Sequence, residues 1–111
     1  MDNKKYRQLQ EKSNYILAKK LAYNIYDQPI QISTRKDKKY MIKNPLTNKY
    51  SHFGNINNSD YLKHKDSARR ESYLKRSEGI KGNWKDDDYS PNNLSRLILW
   101  DELNIIEHPL V

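Results

Sequence analysis

The chain has 111 residues, 35% hydrophobic and 32% charged, with a formal net charge of +7. A chain of this length forms one domain with a thin core, and its nine Tyr and two Trp supply the large side chains that disordered polar chains lack. The absence of Cys excludes disulfides, thiolate metal sites and cysteine nucleophiles, and no run approaches the roughly 18 apolar residues of a membrane-spanning helix.

From Lys4 to Tyr26 there is no Gly or Pro, and Tyr6, Leu9, Leu17, Leu21 and Ile25 recur on one side of a helix, with Ile16 at the edge of the stripe. The spacing predicts one amphipathic N-terminal helix within residues 1–28. Its apolar side is a candidate interface for a partner, set against the plainer reading of a surface helix packed on its own core. Pro29 ends the helical pattern, and Ile30-Gln31-Ile32 before the charged run Arg35 to Lys39 predicts a short strand and an exposed loop. Residues 39–43 and 49–53 flank Asn44-Pro45-Leu46-Thr47-Asn48, which predicts a β-hairpin: Pro presets φ, and Asn tolerates positive φ.

Phe53-Gly54 closes the second strand, and residues 55–59 have the composition of a polar loop. Asp66 or Ser67 is positioned to cap a helix running to Ser77, with Ala68, Tyr73 and Leu74 inward and Arg69, Arg70, Lys75 and Arg76 outward. Gly79 and Gly82 mark its end. Ser90-Pro91 starts another helix, Ser as N-cap and Pro at the first helical position, with Leu94, Leu97 and Ile98 as its buried stripe. Residues 101–111 form an acidic tail. The expected fold is α+β: a small antiparallel hairpin or sheet packed with two or three helices, preceded by the amphipathic helix. The expected divisions are 1–28, 29–100 and 101–111.

The charge is unevenly spread, at +4 for residues 1–26, +4 for 27–58, +3 for 59–82 and −4 for 83–111. Such a basic field attracts nucleic acid, anionic headgroups or acidic protein. Lys63, Lys65, Arg69, Arg70, Lys75 and Arg76, interleaved with Tyr61 and Tyr73, are the candidate charged contact surface; the cations suit phosphates and Tyr suits stacking on exposed bases.

Catalytic patterns are missing from the sequence. His52, His64 and His108 lack the spacing that puts two imidazoles on one helix face. A hydrolytic site at His64-Lys65-Asp66 would need convergent ligands that Lys63 and Lys65 oppose. With glycine only at Gly54, Gly79 and Gly82 there is no phosphate-cradling loop, and no serine sits in a nucleophile elbow. The expectation is a non-enzyme with no cofactor, no metal and no small-molecule substrate.

Asn44 to Lys49, Phe53-Gly54, Asp60-Tyr61 with His64 to Asp66, Arg69-Arg70 with Tyr73 to Arg76, Asn83-Trp84, and Leu94-Ser95 ending in Leu99-Trp100 together resemble a family of short basic proteins encoded by nucleocytoplasmic large DNA viruses. The resemblance covers somewhat over half of the chain, from Tyr40 to Trp100, and carries no catalytic residues. It implies a viral origin, with the virion, and host cytoplasm during assembly, as the place of action. The function expected on that footing is a non-enzymatic structural component, a minor capsid or internal virion protein in contact with other virion or assembly proteins. The alternative is a sequence-nonspecific nucleic-acid-binding protein, genome-associated or part of a ribonucleoprotein.

Overall fold

A computed structural model describes residues 3–101. The expected acidic tail beyond Asp101, including His108 and Pro109, lies outside the described residues. The elements in order are α1 (Asn3–Lys12), α2 (Tyr15–Tyr26), β1 (Ile30–Ile32), β2 (Lys38–Asn44), β3 (Lys49–Asn55), α3 (Tyr61–His64), α4 (Ser67–Glu78), a 3₁₀ turn (Trp84–Asp86), α5 (Pro91–Leu94) and a π-helical turn (Ser95–Trp100). The protein is α+β, as the sequence predicts.

The N-terminal segment is two helices and not one. Asn14 leaves helical geometry (φ −132°, ψ 100°) and its side chain caps α2 by accepting from Leu17 N at 3.1 Å, while Gln10 accepts from Tyr15 N at 3.1 Å. Ser and Asn favour caps because their side chains compete for backbone groups. Ser13, buried at the break, accepts a hydrogen bond from Tyr40 Oη at 2.6 Å. The heptad-like stripe continues across the break, so periodicity alone does not reveal it.

The sheet is antiparallel with order β1-β2-β3, and its register pairs Ile30 with Ile42 and Tyr40 with Phe53. At the hairpin turn Asn44 Oδ1 accepts from Leu46 N at 2.9 Å, and Asn48 takes φ +63°. Tyr40, Ile42 and Phe53 meet Leu9, Ala18, Leu21 and Ala22 from the N-terminal helices, Leu62 from α3, and Leu94, Ile98, Leu99 and Trp100 from the C-terminal side in one core. Gly54 (φ +82°) lets the strand end against this layer: a Cβ there would lie 2.9 Å from Leu99 Cδ1.

Asp66 caps α4, its side chain accepting from Ala68 N at 3.0 Å and Arg69 N at 3.2 Å. Ala68 is exposed and not inward-facing, because the first turn of α4 stands at the rim of a groove. Ser90 caps α5 by accepting from Asn93 N at 3.2 Å, with Pro91 opening the helix. The π-helical turn then shifts the expected stripe: Ile98 and Leu99 are buried and Leu97 only half-buried, since i→i+5 bonding adds a residue to the turn. Among the described residues no helix is long and apolar enough to cross a membrane.

Candidate functional site

α4 forms one wall of a groove of about 1070 Å³; the starts of β2 and of the loop after β3 form the other, and the α5 segment with the π-helical turn forms the floor. Lys12, Lys38, Lys39, Arg69 and Arg76 line it together with Asn55, Asn57, Asn58 and Asn92, and no carboxylate lines it among the described residues. Seven-residue spacing on α4 explains part of this. Arg69 and Arg76 lie two turns apart on the groove side, whereas Glu71 and Glu78 lie two turns apart on the opposite side, beside Lys75 and Arg96. Glu78 is held there by Lys85 at 2.6 Å and Arg96 at 3.2 Å.

Lys39 differs from the other four cations. Its ammonium is 2% exposed and pairs with Asp60, 1% exposed, at 3.0 Å, while donating to Asn58 O at 2.5 Å and Lys12 O at 3.3 Å. Burial pushes the Lys39 amine down and the Asp60 carboxyl up, and their mutual attraction opposes both shifts. The Ser13 hydroxyl beside Asp60, and the backbone N–H of Lys63, also favour its ionised form. This pair joins the end of α1, the start of β2 and the loop before α3, and it holds the groove wall in place. Lys12, Lys38, Arg69 and Arg76 remain as the cations that define the groove's charge.

Of the six residues of the expected charged surface, only Arg69 and Arg76 line the groove. Lys63, Lys65 and Lys75 are exposed elsewhere. Arg70 is a structural clamp and not an outward contact: Nε donates to Trp100 O at 2.9 Å, the guanidinium pairs with Asp101 at 3.0 Å, and it lies over the Tyr61 ring at 5.7 Å. The expected partner-facing stripe is largely consumed within the chain. Leu9 and Leu21 are fully buried, Tyr6, Leu17 and Ile25 half-buried, and Ile16 is left 61% exposed. Lys12, Lys38 and the asparagines escaped the sequence reading because they come from separate segments; the Arg69/Arg76 and Glu71/Glu78 spacings were the available signal.

Two places have a superficial likeness to catalytic machinery. His64 Nδ1 accepts from Asp66 N at 2.9 Å and the ring packs against Trp100 at 5.2 Å, so His64 and Asp66 both serve the turn between α3 and α4. Ser33 Oγ lies 2.7 Å from His52 Nδ1, the spacing of a nucleophile and its base, but Ser33 is buried and its oxygen also accepts from Arg35 N at 3.0 Å. That geometry closes the β1–β2 turn around a buried hydroxyl. Among the described residues no three His, Asp or Glu side chains converge as metal ligands.

The fold and site define a small α+β protein with a basic, amide-rich groove. A protein-family model, described as a family of unknown function (DUF5754), matches residues 29–77. That stretch holds the sheet, α3 and the Arg69/Arg76 wall, whereas Lys12 and the α5 floor lie outside it. No curated protein and no solved structure matches the chain.

Proposed function

We propose that this chain is a non-enzymatic binding protein that holds nucleic acid by its phosphates in the α4 groove. The observation that carries this reading is the lining: Lys12, Lys38, Arg69 and Arg76 converge on one concave surface on which, among the described residues, no carboxylate competes. Cations placed this way attract a polyanion at long range and release its counterions on contact. In the viral setting implied by the resemblance, the protein is a genome-associated component of the virion, present in host cytoplasm during assembly. Binding of labelled random-sequence DNA and RNA by the purified chain at low salt tests the proposal, and failure to bind either would overturn it.

A purely structural virion role is the second reading, favoured by Leu46, which stands 93% exposed at the tip of the β2–β3 hairpin. A solitary exposed apolar side chain is ordinary on a protein surface, and for that reason this reading stands second. Under this reading Leu46→Ser impairs assembly with other virion proteins and leaves nucleic-acid affinity unchanged.

A further inference from the structure

We infer that the groove selects a single nucleic-acid strand over a duplex, an inference that rests on the phosphate-binding reading above. Size is the first reason. The groove's volume is about 1070 Å³, whereas a duplex brings two backbones, one on either side of a major groove about 12 Å wide. A duplex therefore reaches only the rim; one strand enters.

The two walls are the second reason. Arg69 and Arg76 are separated by two helical turns, about 10.5 Å, which spans roughly three nucleotides of a stacked strand at about 3.4 Å each. Facing them, Asn57 and Asn58 stand exposed in the loop after β3, and Asn92 uses its Nδ2 on Ser77 O at 3.1 Å, which leaves its Oδ1 available as an acceptor. Carboxamides carry donors and acceptors together, the complement of base edges. In a duplex those edges are occupied by pairing; in a single strand they turn outward. Trp100 also lines the floor, but it is 9% exposed with Tyr73 stacked on it at 4.1 Å and His64 packed at 5.2 Å, so it reports a strand in the groove without offering an open face for stacking.

The test uses the full chain with Trp84→Phe, which leaves Trp100 as the single tryptophan; Trp84 does not line the groove. A short DNA strand, the RNA of the same sequence and the matching DNA duplex are titrated, reading Trp100 emission, with anisotropy of end-labelled nucleic acid on the unsubstituted protein in parallel. The expected result is single-strand binding at least about tenfold tighter than duplex binding, accompanied by a change in Trp100 emission. Asn57→Ala with Asn58→Ala is expected to narrow that preference while keeping the salt dependence. Preference for only one of the two strands supports the inference and assigns discrimination to the 2′-hydroxyl. Duplex binding as tight as strand binding overturns the inference and leaves the phosphate reading standing. Strand binding without a Trp100 response, or indifferent to the Asn substitutions, removes the strand from the groove, and no binding of any probe overturns both.

Discussion

Neutralising the arginine wall should change the salt dependence of binding by a calculable amount. Four groove cations, Lys12, Lys38, Arg69 and Arg76, each neutralising one phosphate of a single strand, give a slope of log affinity against log salt near −3, at about 0.7 per contact. Affinity then falls about fifty-fold between roughly 50 and 200 mM salt. With Arg69→Ala and Arg76→Ala together, two contacts remain, the slope drops to about −1.4, and the same interval costs only about sevenfold. Both side chains are exposed on α4, and Ala is the strongest helix former, so the fold survives the change. Anisotropy titrations at four or so salt concentrations, with circular dichroism on the same samples, provide the measurement. Lys75→Ala is the control, because Lys75 lies on the other side of the same helix. Equal flattening of the slope by Lys75→Ala would refute the reasoning, since the attraction would then be diffuse and not seated in the groove.

The buried pair provides a second prediction: Lys39→Met strands the Asp60 charge and should lower unfolding stability by about 3–5 kcal/mol in urea titrations, whereas Lys39→Met combined with Asp60→Leu should recover most of it. A single substitution as mild as the double would mean the pair is hydrated in solution. Gly54→Ala should cost at least about 1–2 kcal/mol, because φ +82° disfavours any Cβ and the added methyl meets Leu99 and Lys39; an unchanged denaturation midpoint would contradict the close approach. His52 and His64 are both held below the usual imidazole range, by burial first and then by Arg35 and Lys5 around His52 and Arg69 near His64. Their folded pKa values lie below the unfolded value, so this stability is complete above about pH 6.5 and is lost as pH falls through the folded values. Denaturation midpoints should decline on acidification, with a smaller decline in His64→Asn, and an NMR titration placing both imidazoles at or above their unfolded values would reverse the expectation.

Local chemistry was the part of this fold most legible in the sequence. The Asn44-Pro45 and Asn48 turn, the Asp66 cap and the Ser90-Pro91 helix start each act through their own backbone neighbours, and each sits where the residues predict. The break at Ser13-Asn14 was hidden because apolar residues recur on both sides of it, although the Asn14 cap that makes it is itself local, and Tyr40, 27 residues away, adds a hydrogen bond to Ser13. The exchange of Leu97 for Leu99 in the core follows from i→i+5 bonding, which an assumed 3.6-residue period does not anticipate. The candidate site was half legible. The spacing of acids and bases on α4 sorts them onto two faces, but grouping Arg70 with Arg69 ignored that adjacent helical residues point about 100° apart. Lys12 and Lys38 enter the groove only through tertiary packing.

The Lys39–Asp60 pair also constrains the order in which the chain can fold as it is made. Lys39 follows Lys12 by 27 residues and precedes Asp60 by 21, and at about 5–20 residues per second the carboxylate is synthesised about one to four seconds after the amine. During most of that interval the ammonium has the Lys12 carbonyl within reach but neither the Asn58 carbonyl nor a counter-charge, and burying it would cost several kcal/mol. Docking of the first helix on the hairpin strand that carries Lys39 therefore gains its counter-charge only once residue 60 is available. Synthesis runs from the N-terminus, but closure of the core waits further still, for Leu94, Ile98, Leu99 and Trp100.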